Sequence, residues 1–172
     1  MADISKPTEL TARLVAQPSK MIPGVPAFVF SAPKGWVIDE APNALAVVRT
    51  PAEVDGFWVN AIISHDRVSR QVDYKTAAKV TWAKLQRDTP DVKERFERMV
   101  RFGANIIYLR GADMTAPNTK RPLSQMHALF FAPVSEGGKV VDFFQIICTA
   151  PADVMDKVGP EFLEIIGSWR FV

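Results

Sequence analysis

The hydrophobic pattern changes period several times along the chain, and each change marks an element. Phe28 and Phe30 alternate with smaller residues before "APKG" breaks the run at Trp36. Pro33 fixes one backbone angle and Gly35 tolerates a positive one, so the chain turns and Trp36 falls back onto the edge of a core. The stretch "FVFSAPKGWVIDEAPNALAVV" therefore reads as an opening hairpin, and a similar short cadence returns between Ile165 and Val172. "NALAVVRT" and the longer "FWVNAIISHDRV" are the next strands, parted by the turn residues of "PAEVDG". In the longer one Phe57, Val59, Ala61 and Ile63 point one way and Trp58 and Ile62 the other. "HALFFAP" and "FFQIICT" are also apolar on both sides. A half-wet antiparallel sheet alternates apolar and polar residues cleanly, so this pattern predicts cover on both faces and a three-layer sandwich.

Two segments carry helical periodicity. In "DYKTAAKVTWAKLQR" Tyr74, Ala78, Trp82 and Leu85 form one stripe, Asp73 is placed to cap the first turn, and basic residues gather toward the end. In "DVMDKVGPEFLEIIGSW" Val154, Val158, Phe162, Ile165, Ile166 and Trp169 do the same. Pro160 has no N–H to give, which predicts a break at Gly159, a helix over Pro160 to Ser168 and an end near Gly167. "DVKERFERMVRFG" fits a helix through Val92, Phe96, Met99 and Val100, and a strand through Phe96, Arg98, Val100 and Phe102. Periodicity alone leaves both open. Residues 1–24 form a polar arm ending in "MIPGVP", in which Leu10, Leu14 and Val15 have the spacing of one helical turn; residues 25–172 form a single domain.

Composition narrows the function classes. At 172 residues, 48% hydrophobic and 23% charged, the chain buries roughly 70% of its unfolded surface and needs no metal or disulfide staple. With 21 basic against 19 acidic residues the net charge of +2 gives no ground for nucleic acid or an anionic membrane as partner. No segment reaches the roughly 20 apolar residues of a membrane span, and the N-terminal stretch lacks a signal-peptide core, so a cytoplasmic location is expected. Cys148 is the single cysteine and lies in an apolar strand, the setting of a buried structural thiol.

The aromatic strand Phe28 and Phe30, the turn Pro33, Gly35 and Trp36, Pro51 at the end of a strand, "FGANIIYLRG" and the final "IIGSWRF" resemble the PsbP-like α-β-α sandwich, and within it the actinobacterial LpqN/LpqT lipoproteins. The resemblance spans roughly residues 25 to 172. It implies a hairpin that makes Glu94 to Phe102 a strand, with a turn at Gly103 and a second strand "NIIYLRGAD". The order becomes three strands, a helix, four strands and a helix: an α+β fold with a central antiparallel sheet. The family's lipobox cysteine has no counterpart here, so export and anchoring do not carry over. The resemblance implies a non-catalytic binding or accessory protein that holds an apolar ligand, a lipid or a cell-envelope component. The same fold is used by photosystem extrinsic subunits, Ran-binding proteins and secretion-effector chaperones, which makes an adaptor or chaperone for a protein partner the second reading.

Catalytic motifs are missing: no G-x-S-x-G, Walker sequence, dinucleotide fingerprint, H-E-x-x-H or cysteine cluster occurs, so neither cofactor nor metal is expected. Gly137 and Gly138 make a hairpin turn. His65 and Asp66 are neighbours on a strand and point to opposite faces, and His127 shares a face with Leu129 and Phe131. A short "SEGGK" loop sets Phe130 opposite Phe144 and Phe131 opposite Phe143, which puts Asp142 on the face away from His127 and predicts pairing with a base such as Arg110, or exposure at the sheet edge. The candidate ligand or partner residues are Trp36, Trp58, Trp82, Phe130 and Phe144, as walls of an apolar cleft between sheet and helix. A large closed pocket favours an apolar ligand, and an exposed apolar groove, for instance on a homodimer, favours a protein partner. Convergent polar groups with shifted ionisation favour an enzyme, the third reading.

Overall fold

The computed structural model describes residues 15–172. Leu10 and Leu14 of the expected helical turn lie outside them. In chain order the elements are β1 (Phe28–Val29), β2 (Val37–Asp39), β3 (Ala46–Arg49), β4 (Asn60–Ser69), α1 (Tyr74–Asp88), β5 (Lys93–Phe102), β6 (Asn105–Thr115), β7 (Pro122–Phe131), β8 (Val140–Pro151), α2 (Met155–Ser168) and β9 (Arg170–Phe171). Strands β2 to β8 form one antiparallel sheet in the order β2-β3-β4-β8-β7-β6-β5. A helix lies on each face, which makes the expected α-β-α sandwich.

Strand parity decides which side chain meets which helix. Ala61, Ile63, Ile107, Leu109, Ala128, Phe130, Phe144, Ile146 and Cys148 are buried on one face against Val158, Phe162, Ile165 and Ile166 of α2. On the other face Tyr108, Leu129 and Phe143 receive Ala77 and Ala78 of α1. The Asp73 carboxylate caps α1 by accepting from Thr76 N–H at 2.7 Å, as its position before the helical stripe predicts. Phe130 faces Phe144 and Phe131 faces Phe143, the register expected of the β7–β8 pair. Residues 93–102 form the strand that the resemblance implies, with Gly103 at φ 59° in the turn.

Three expectations change. First, Phe28 and Val29 do not open a hairpin with β2. They pair with Phe171 and Arg170 in a separate two-stranded sheet, while β2 pairs β3. The cause is aromatic: the Phe28 ring stacks on Trp169 at 4.0 Å between centroids, and Phe30 lies parallel to it at 5.8 Å. Second, α2 does not break at Gly159 but runs continuously through Pro160. Pro160 lies in the second turn and is exposed, so it forfeits one backbone bond, while Met155, Val158, Phe162, Ile165 and Ile166 anchor both halves of the helix on one buried stripe. Third, cover on the α1 face is incomplete. A helix about 10 Å across shields two or three strands spaced about 4.8 Å apart. Helix α1 sits over β6, β7 and β8, and Trp58 and Ile62 beside β3 stay 42% and 38% exposed.

Candidate functional site

The five candidate aromatics separate into two groups. Phe130 and Phe144 are 1% and 0% exposed and stack on each other at 5.7 Å within the cluster that holds Phe28, Trp169 and Phe171. Trp36 packs edge-on against Phe162 of α2 at 5.9 Å. These three hold the α2 layer together. Trp58 and Trp82 lie on the opposite, α1 face, each with an arginine over its ring.

Trp58 belongs to the bare part of the sheet. The β3–β4 register sets Val47 against Ile62 and Arg49 against Asn60, and Trp58 continues the same phase two residues before Asn60. Together these side chains line a shallow open depression of about 480 Å³. The Arg49 guanidinium lies 4.6 Å over the Trp58 ring and is ion-paired to Asp39 of β2, which fixes the guanidinium against the indole. Asn60 Nδ2 donates to the Trp58 carbonyl at 2.8 Å, and its Oδ1 is buried with no partner among the described residues.

Trp82 leads to a second feature. Helix α1 places Tyr74, Lys75, Ala78 and Lys79 opposite Glu97, Arg98 and Met99 of β5 and Tyr108 and Arg110 of β6, around an open cleft of about 610 Å³. Arg110 is 5% exposed and lies between the rings of Trp82 and Tyr108, 4.8 and 5.1 Å from their centroids. Its Nε donates to Glu94 at 3.0 Å, Nη1 to the Ala78 carbonyl at 3.0 Å and Nη2 to the Tyr108 hydroxyl at 2.6 Å. The Tyr108 hydroxyl in turn donates to Glu97. Burial and the Glu97 hydrogen bond push the Tyr108 phenol up to about 12, so it stays protonated. No sequence pattern announces this cleft, because its polar floor is assembled from α1, β5 and β6.

No known family profile matches the sequence, and no curated protein does. Solved structures do. LpqN, involved in cell envelope biogenesis of Mycobacterium tuberculosis, superposes with a TM-score of 0.67 at 14% identity, over 87% of this chain and 86% of that one. The cyanobacterial PsbP of Synechocystis matches at 0.59 and 13% identity, over 84% and 86%. The fold is PsbP-like. The Ran-binding protein Mog1p of Saccharomyces cerevisiae shares it at a TM-score of 0.55 and 14% identity, over 85% and 90% of the two chains. The resemblance to LpqN expected from the aromatic turn and the closing strand thus holds at the level of the fold.

On this PsbP-like frame the ionisable groups are dispersed. Asp142 does not pair with Arg110, which lies on the opposite face with Glu94 and Glu97. Its Oδ1 is 2.7 Å from His65 Nε2 and 3.4 Å from Arg67 Nε, because β4 and β8 set Arg67 directly opposite Asp142 and His65 opposite Phe144. His65 therefore has an orienting carboxylate that the sequence did not reveal, although the β4–β8 register contains it. Cys148 faces Ala61 and Met126, four positions along β4 from His65, or about 13 Å at the rise of a strand. Burial pushes its thiol well up, away from thiolate. His127 is 7% exposed on the α1 face, with Nε2 2.7 Å from Gln125 Oε1. Burial and the nearby Arg110 charge lower it to about 4, so it is neutral near pH 7. Among the described residues no group of three or more acidic, histidine or cysteine side chains is arranged to hold a metal, and no helix is long and apolar enough to cross a membrane.

Proposed function

We propose that this chain is a non-catalytic binding protein that docks a protein partner on the bare sheet face centred on Trp58. The observation that carries this reading is the exposure of a tryptophan together with Ile62 on the flat of a sheet, where α1 leaves the apolar surface uncovered. The Trp58 depression, the α1 cleft and a third cleft of about 500 Å³ between the β5–β6 turn and the end of α2 all open to solvent, so an exposed apolar surface favours a protein partner over an enclosed apolar ligand. The sheet edges argue for the face as the contact. At one edge β2 has only three residues. At the other β5 carries Lys93, Glu94, Arg95, Glu97, Arg98 and Arg101 and a register shift between Glu94 and Phe96, devices that keep a foreign strand from pairing there.

Recovery of partners from expressing cells with the wild-type chain and with Trp58→Ser and Ile62→Asp tests the reading. A protein recovered by the wild type and lost with both variants, which then shifts tryptophan fluorescence when titrated as a purified component, supports it. A partner that both variants retain, or a small molecule held by both variants in place of any protein, overturns it.

A further inference from the structure

The cleft beside α1 lies on the same sheet face as the Trp58 depression but is separate from it, over β5 and β6 rather than β3 and β4. We propose that it binds a small amphipathic carboxylate, whose head group takes the position on Tyr108 and Arg110 that Glu97 fills in the free protein. Lys75, Lys79 and Arg110 bring three positive charges to the cleft against the carboxylates of Glu94 and Glu97, while the Arg98 guanidinium lies over the Phe96 ring on the opposite face of the sheet. An anion entering the cleft meets an excess of positive charge against low-dielectric walls.

The floor is organised in advance. Arg110 is fixed by three hydrogen bonds and two flanking rings, so little side-chain freedom remains to be lost on binding. Arg110 Nη2 donates to the Tyr108 oxygen at 2.6 Å, which polarises the phenol and strengthens its O–H as a donor to a carboxylate. That donor is taken by Glu97, whose carboxylate also lies 3.7 Å from Arg110 Nη2. Glu97 is 56% exposed and stands on the edge strand, so it can turn to water at little cost when a ligand carboxylate displaces it. Glu94 stays on Nε, and the guanidinium remains neutralised throughout.

The walls select the tail attached to that head group. The Tyr74 ring, Ala78 and the half-exposed Met99 side chain form an apolar lining, and about 610 Å³ is the size of a small-molecule site rather than of a long lipid. Lys75 and Lys79 stand one helical turn apart along the rim, over the path of entry.

Octanoate, octylamine and acetate are the probes, titrated into the full chain with methyl-labelled methionine and followed by NMR. Octanoate is expected to saturate near ~1 mM, as about ten heavy atoms at modest efficiency allow, with the Met99 methyl moving in step. Acetate is expected to bind at least roughly tenfold more weakly, and octylamine not to shift Met99. Glu97→Gln removes the competing carboxylate and tightens octanoate several-fold. Lys79→Glu weakens it by a similar factor, and Trp58→Ser leaves it unchanged. Equal binding of octylamine, a Met99 methyl that does not move, or no tightening in Glu97→Gln overturns the proposal without bearing on the partner surface.

Discussion

His127 is a histidine the fold keeps uncharged, and that choice has a measurable consequence. Its folded-state value is lowered to about 4 from an ordinary 6.5, so between those two values the unfolded chain takes up a proton that the folded chain refuses. Stability from this group is therefore complete above about pH 6.5 and is lost as pH falls toward about 4. The full effect is on the order of 3 kcal/mol. Urea unfolding of the wild type and of His127→Gln at several values across that window checks it. The variant should lack this part of the acid sensitivity, and parallel curves would show that His127 is not responsible. Cys148 makes the complementary prediction: with its thiol at 0% exposure and held protonated by burial, iodoacetamide should not label the native protein and should label it in denaturant.

At the scale of single elements, two glycines predict different outcomes. Gly159 lies within α2, where an added Cβ meets nothing within 4 Å beyond its own helix and chain neighbours but crowds the ring of the following Pro160, so Gly159→Ala should gain less than the roughly 1 kcal/mol of helix propensity. A Cβ on Gly111 of β6 runs into the Phe96 ring, so Gly111→Ala should cost about 1–3 kcal/mol by overpacking. Thermal melts of the two variants decide both. The elements were legible in the sequence wherever the signal is local. The Asp73 cap, the α1 stripe, the parity of Val59, Ala61 and Ile63 and the β7–β8 register all rest on neighbours within a few positions. What stayed hidden depends on pairing across long separations. Two-residue strands such as β1 and β9 have no periodicity to read, and the His65–Asp142 pair joins positions 77 residues apart. The Trp58 part of the site was visible as a tryptophan out of phase with its strand's core residues. The Arg110 cleft was not, because a buried arginine satisfied by a helix carbonyl, a phenol and two carboxylates leaves no pattern in any one segment.

For the whole molecule, the distribution of charge over its edges sets how it behaves at high concentration. Replacing Lys93, Arg95 and Arg101 together with valine leaves a ten-residue edge strand with few guards, and sedimentation should then show concentration-dependent association that the wild type lacks. Unchanged sedimentation would mean that the bulge and the remaining charges of Glu94, Glu97 and Arg98 suffice to protect the edge. The pairing of β1 with β9 governs the order in which the fold completes. Phe28 and Val29 gain their strand partners only when Phe171 and Arg170 have been made, roughly 140 residues later, and at about 5–20 residues per second the wait is on the order of ten seconds. Throughout that interval the Phe28 and Phe30 rings lack Trp169, the surface they stack on. A ribosome carrying this chain therefore displays a sticky aromatic segment until Trp169 and Phe171 have emerged, which makes Phe28 and Phe30 positions where a nascent-chain chaperone has a long opportunity to hold on.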